Sequence, residues 1–226
     1  MNYLIVIAHP DDEVLGAGGT IYKATRAGHT VTTCILSSES RARYMRPSDE
    51  ELDLDMHRAA EILGISRIIP GYFPNIQLNN VPHLELVQFI EGALSEVQPD
   101  VVITHHPSDS NNDHAHVFLA TQEAIRLFQR RENIKPVDEL LLMEVPSTTD
   151  WDINPAGHPF TPNTFVEIGE AGLAGKLEAL RAYRGVARPY PHPRSEEAIR
   201  GLAAVRGAQA GLVLAEAFQL AFRRVR

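Results

Sequence analysis

The chain has 226 residues, 44% of them hydrophobic and 22% charged, and a formal net charge of -8. That length holds a full hydrophobic core without disulfide or structural-metal staples, and it fits one domain over residues 1–226 better than two small ones. The negative balance, with no Lys/Arg-rich run against it, argues against nucleic acid or an anionic membrane as the main partner, and no stretch approaches the ~20 apolar residues of a bilayer span.

Residues 3–8 form a short apolar run that predicts a buried strand. It has neither a basic leading region nor a cleavage site, so no signal peptide is expected and the chain reads as cytoplasmic. A helix is predicted over 16–26, ending near Gly28, and a second strand over 29–36. Within that strand lies Cys34, which reads as a small buried hydrophobe. Residues 49–63 carry a helical pattern closed by Gly64, and Ile68 and Ile69 begin a short third strand. After a loop around Pro74 and Asn75, a helix over 82–97 gathers Leu84, Leu86, Val87, Ile90, Ala93 and Leu94 on one face.

A strand over 100–104, a helix over 113–130 and a strand over 140–145 continue the alternation. Residues 147–163 read as loop, 165–168 as an edge strand, 171–183 as a helix and 188–193 as a Pro-rich loop. A long helix is expected over 195–222, interrupted near Gly207. Repeated βαβ alternation implies an α/β fold: a single-domain, Rossmann-like three-layer sandwich with a mainly parallel sheet.

The first strand ends in Ala8-His9-Pro10-Asp11-Asp12-Glu13, followed by Gly16-Ala17-Gly18-Gly19. Ligands of open parallel sheets bind outside the carboxyl ends of the strands. Three carboxylates at that tip repel phosphate and invite a cation. Imidazole plus carboxylate without thiolate suits Zn²⁺ in an open catalytic site. His9 and Asp12, three residues apart where the chain turns into a helix, can both point at one metal, and Asp11 projects differently, free to hold a metal-bound water. The plain alternative is that Asp11, Asp12 and Glu13 only favour a helix N-terminus; for Glu13, supporting a ligand and capping both fit.

An open zinc site needs a third protein ligand. The run from Thr104 to His116 follows another apolar strand and holds His105, His106, His114 and His116. His114 and His116 are about 200° apart around a helix axis, so both cannot face one metal. His114 shares the face that packs on the sheet and is the expected ligand. His105 and His106 read as hydrogen-bonded strand-end histidines, with a place in the cleft as the alternative. Asp109, Asn111 and Asp113 read either as turn and cap residues or as supports for the ligand or the substrate.

His-Pro-Asp-Asp-Glu near the start, with Asp-x-Asn-x-Asp-His at 109–114, resembles the PIG-L/LmbE-like N-deacetylase family, bacterial branch. Ser38-Glu39-Ser40-Arg41, Glu144-Val145-Pro146-Ser147-Thr148-Thr149-x-Trp151, Pro191-His192-Pro193-Arg194-Ser195, Arg206-Gly207 and Ala215-Glu216-Ala217-Phe218 extend the resemblance along most of the chain. It implies a metal-dependent, usually zinc, N-deacetylase with one Zn²⁺ per chain, ligated by His9, Asp12 and His114, and with Asp11 as general base. Some relatives carry a helper histidine three residues before the metal-binding one; here that position is Asn111. Either Asn111 or His192, held between two prolines, is then expected to stabilise the oxyanion. Arg41, Arg194 and Trp151 suit substrate recognition, with surface salt bridges and core packing as their plain alternatives. The expected partner is a small N-acetylated sugar or sugar conjugate of the N-acetylglucosamine type, and a homo-oligomer is a fair expectation. The rival readings are a deacylase of a non-sugar amide or thiol conjugate and a non-catalytic metal- or carbohydrate-binding module.

Overall fold

The computed structural model describes residues 1–38, 47–153 and 157–225. Its elements in chain order are β1 (Asn2–Ile7), α1 (Asp12–Arg26), β2 (Thr30–Ile35), α2 (Asp49–Leu63), β3 (Arg67–Pro70), α3 (His83–Val97), β4 (Val101–His105) and α4 (Asn112–Ala124). There follow β5 (Glu139–Met143), β6 (Thr164–Glu167), α5 (Gly169–Ala182), α6 (Glu196–Ala210) and β7 (Ala215–Arg223). The seven strands form one sheet in the order β3-β2-β1-β4-β5-β7-β6. β3, β2, β1, β4 and β5 pair in parallel, while β7 runs antiparallel to both neighbours. The architecture is the expected mainly parallel three-layer sandwich.

β1 shows why both faces are covered. Ile5 and Ile7 join the apolar cluster built with α1, α2, α5 and α6. Their alternating neighbours Leu4, Val6 and Ala8 join the cluster built with α3 and α4. A strand buried on both sides is apolar throughout, which is the signature of a parallel sheet. The chain winds outward from β1 to β2 and β3, then returns to the other side of β1 with β4. The ends of β1 and β4 therefore diverge at the switch point, where a crevice opens. No helix among the described residues is long and apolar enough to cross a membrane.

Local signals set several boundaries. Ser48 caps α2 through a reciprocal pair, with Glu51 N–H donating to Ser48 Oγ (3.1 Å) and Ser48 N–H donating to the Glu51 carboxylate (2.9 Å). Helix α1 starts at Asp12 rather than at Gly16, so the glycines lie inside it. They serve close packing: a Cβ on Gly19 would sit 2.8 Å from Ile168 Cδ1.

Two expectations fail. The helix expected over 113–130 stops at Ala124, and the chain tightens into a 3₁₀ turn at Leu127–Gln129 that keeps Leu127 in the core. More substantially, the helix expected over 195–222 ends at Ala210, and residues 215–223 are strand β7. Gly207 does not interrupt α6. A Cβ there would lie 2.7 Å from Leu212 O, because the turn into β7 folds back on it. Gly211, at φ 71°, ends the helix. Ala, Glu and Leu favour helix in isolation, but pairing with β5 on one side and β6 on the other overrides that preference.

Candidate metal centre and active site

The chain leaves β1 at Ile7, rises through Ala8, His9, Pro10 and Asp11, and enters α1 at Asp12. On the other side of the switch point, β4 ends at His105. Asn111 then caps α4 by accepting the Asp113 N–H on its side-chain oxygen (3.0 Å), which puts His114 in the helix's first turn. These two crests bring His9, Asp12 and His114 together. All three are buried, and their donor atoms lie within 4.8 Å of one another; among the described residues no other group of three His, Cys, Asp or Glu has this arrangement.

Each imidazole is held from behind by a carboxylate. His9 Nε2 is 3.0 Å from Asp113 Oδ2, while its Nδ1 faces Asp12 Oδ2 at 3.5 Å. His114 Nδ1 is 3.1 Å from Asp109 Oδ2, and its Nε2 faces Asp12 Oδ2 at 3.3 Å. Asp113 is itself pinned by the Ile76 and Leu78 N–H groups (2.7 and 3.0 Å), and Asp109 by the Thr148 and Thr149 hydroxyls (3.0 and 2.8 Å). Carboxylates that fix the outer nitrogens leave the inner ones presented to a shared centre, as in metal sites with oriented histidine ligands. Neither ring nitrogen of buried His114 makes a well-aligned hydrogen bond, although Asp109 and Asp12 lie at ion-pair distance from them, and for the inward Nε2 this is a costly state unless something other than protein occupies that position. The donor set therefore fits a divalent metal of zinc's type.

Electrostatics agree. Burial alone would lower the His114 pKa, but the Asp12 and Asp109 carboxylates outweigh it and push the ring up to about 10. The cavity thus favours positive charge. His105 behaves in the opposite way. It stacks on His114 (centroids 3.8 Å apart), its Nε2 accepts the Ala8 N–H at 2.9 Å, and burial with the nearby His114 charge drives it down to about 3. It is a neutral strut tying β4 to β1. His106 bonds Gln219 (3.2 Å) and so ties the end of β4 to β7. Both act as strand-end hydrogen-bonding histidines.

Asp11 has different surroundings. It precedes α1 without a side-chain capping bond, so its carboxylate is not used on the helix. Its Oδ2 lies 3.3 Å from Arg194 Nη1, and Arg194 Nε donates to Ser147 Oγ at 2.7 Å. Arg194 is thus placed on Asp11 rather than in open solvent. His192, whose Nδ1 accepts the Arg194 N–H (3.1 Å), packs edge-on against half-exposed Trp151 with ring centroids 5.4 Å apart. An open cleft of ≈ 440 Å³ is lined by Ser108, Thr149, Asp150, Asp152, Phe160 and Arg206, and Asp150 and Asp152 flank Trp151 in the chain. Asn111 has its side-chain oxygen engaged in the α4 cap. Arg41 lies outside the described residues.

Glu13, ambiguous in the sequence, is buried. Its Oε1 accepts the Tyr183 hydroxyl at 2.6 Å, and burial pushes its carboxyl up to about 8 although the tyrosine bond works the other way. Sequence reasoning missed Tyr183, and it missed the buried Lys176–Glu216 pair (2.6 Å) in which Glu216 also takes the Gly19 and Thr20 N–H groups of α1. For Asp109 and Asp113 the signal was present, as the density of acids around His114.

The chain is similar to a protein family and to three individual proteins. A family model described as PIG-L, GlcNAc-PI de-N-acetylase, matches residues 4–125. Diacetylchitobiose deacetylase of Thermococcus kodakarensis is 29% identical over 191 residues, which cover 80% of this chain and 68% of that protein. Among solved structures, the conserved protein TT1542 of Thermus thermophilus is 26% identical with a TM-score of 0.79, over 99% of this chain and 96% of the other. GalB, the 4-carboxy-2-hydroxymuconate hydratase of Pseudomonas putida KT2440, shares the fold at 24% identity and a TM-score of 0.76, over 100% of this chain and 98% of its own.

Proposed function

The chain belongs to the PIG-L de-N-acetylase family, and from that premise we propose that it is a zinc-dependent hydrolase removing the acetyl group from an N-acetylglucosamine-type sugar or sugar conjugate. One observation carries the reading: two carboxylate-backed imidazoles and Asp12 converge in a buried centre, while the adjacent Asp11 is held apart by Arg194. The relative from Thermococcus, named for diacetylchitobiose, supports the substrate class. The fold alone does not select this reaction, since a hydratase shares it.

His9, Asp12 and His114 would hold one zinc ion per chain, which supplies Lewis-acid polarisation and a water of lowered pKa. Asp11 then acts as general base, taking the proton of the water that attacks the amide carbonyl. Arg194 keeps the Asp11 carboxylate oriented from its Oδ2 side. His192 is the group suited to donate a hydrogen bond to the developing oxyanion. The helix cap uses only the Asn111 side-chain oxygen as an acceptor, so its amide N–H groups are the alternative donor for that task. Asp11 carries the proton on to the leaving amine. Trp151, exposed beside His192, offers a flat face for a sugar ring, and Arg41 remains a proposed substrate contact.

The test is acetate release from N-acetylglucosamine and its short oligomers by protein stripped of metal and refilled with one equivalent of Zn²⁺. Zinc-restored release supports the reading. Tight zinc binding without release from any N-acetyl sugar overturns the substrate class and turns the search to other amides.

A further inference from the structure

Asp11 has φ 102° and ψ -26°, in the left-handed region that a residue with a Cβ rarely adopts. Such a conformation is unfavourable for a residue with a side chain and persists only where its surroundings over-determine it. Here both sides of the residue are fixed. Its carbonyl accepts the Val14 and Leu15 N–H groups at 3.1 and 2.9 Å. Its own N–H, which no helical carbonyl can reach, donates to Glu13 Oε2 at 3.2 Å. Glu13 in turn receives the Tyr183 hydroxyl on its other oxygen, and Glu13 and Tyr183 are each only 2% exposed. A glutamate serving only the helix dipole gains nothing from burial, because taking a carboxylate from water is expensive unless it is fully paired.

From this we propose that Glu13 and Tyr183 are positioning residues for Asp11: a tyrosine at the end of α5 fixes the glutamate, and the glutamate fixes the backbone of the proposed general base. The inference rests on the reading of Asp11 given above, but it makes a structural claim of its own. A staple that only held α5 to α1 could be replaced by apolar groups, since removing both partners of a buried hydrogen bond is close to neutral for stability. A positioning device could not be replaced in that way.

The test is the double variant Glu13→Leu/Tyr183→Phe, with Tyr183→Phe and Glu13→Gln beside it. In the zinc-loaded double variant, kcat is expected to fall by about 100-fold with little change in KM, the scale of a misplaced catalytic group. Zinc affinity, measured by chelator competition, should stay near that of the native protein. Its crystal structure should show Asp11 released from the left-handed region. Glu13→Gln keeps a carbonyl oxygen for the Asp11 N–H and should recover most of the loss. Tyr183→Phe, which removes a single hydroxyl, should lower kcat by about fivefold, or roughly 1 kcal/mol, and it decides the matter if the double variant fails to fold. Asp11 still at positive φ, with kcat within about threefold of native, overturns the proposal. If the native protein itself releases no acetate, the functional reading fails, and the Asp11 conformation in the variants still decides this inference.

Discussion

Asp11 and Asp12 are adjacent residues of one type with opposite surroundings. Asp12 lies among His9, His105 and His114, and His114 foremost, with His9, holds its carboxyl well below the usual range against the effect of burial. Asp11 meets the guanidinium of Arg194 instead. The two are therefore expected to separate on substitution. Asp11→Asn should retain one equivalent of zinc and lose turnover by about 10²–10⁴-fold, the range of a general base. His114→Ala should lose both, measured by metal analysis and acetate release on the same samples. Equal zinc loss in both variants would remove the distinction between base and ligand. Cys34 supplies a control: burial pushes its thiol up to about 12, so the folded protein should leave a thiol reagent unreacted at about pH 8 while the denatured chain consumes it. Rapid labelling of the native protein would contradict the buried placement.

At the scale of elements, legibility in the sequence followed the range of the interactions that define each one. Helix α2 was legible from its own pattern over 49–63 and from Gly64 at its end, and the structure adds the Ser48–Glu51 capping pair at its start, all within the segment itself. The His9–Asp12 pair was legible for the same reason, and His114 because one helical turn decides which histidine faces the sheet. Strand β7 was not, because its state is dictated by strands β5 and β6, far away in sequence. Nor was Tyr183, which meets Glu13 across 170 positions. The α6–β7 corner makes this concrete. Gly207→Ala would drive a methyl group against backbone carbonyls that cannot swing aside. The expected cost is about 1–3 kcal/mol of overpacking, read as a melting temperature lowered by roughly 3–10 °C for a chain of this size. An unchanged melting point would mean that the turn is free to move.

For the whole molecule, the proposed zinc site clamps the two crests where the sheet's winding reverses. A ligand bound only to the folded state stabilises it by RT ln(1 + [L]/Kd), about 2.7 kcal/mol at a hundredfold excess over Kd. Chelation should accordingly lower the melting temperature by about 5–10 °C, and Zn²⁺ should restore it where Mg²⁺ does not. Melting that ignores the chelator would argue that the cluster holds no ion. The repeated βαβ alternation was enough to indicate the mainly parallel sheet, while the cleft lined by Ser108, Thr149 and Asp152 is assembled largely from loops whose course no periodicity encodes.

Strand β6 pairs only with β7, although β7 is made later. On the ribosome, a nascent chain arrested before Ala215 already contains the crests of β1 and β4, but the flank of β5 has no neighbour and Lys176 still lacks Glu216. Translation therefore leaves an interval in which the catalytic end of the sheet can assemble while its far side stays open to proteases and to other chains. Arrested chains released after residue 225 should resist brief proteolysis, and those stopped at residue 214 should be cleaved around β6. Equal resistance in both would mean that the far side of the sheet closes without its penultimate strand.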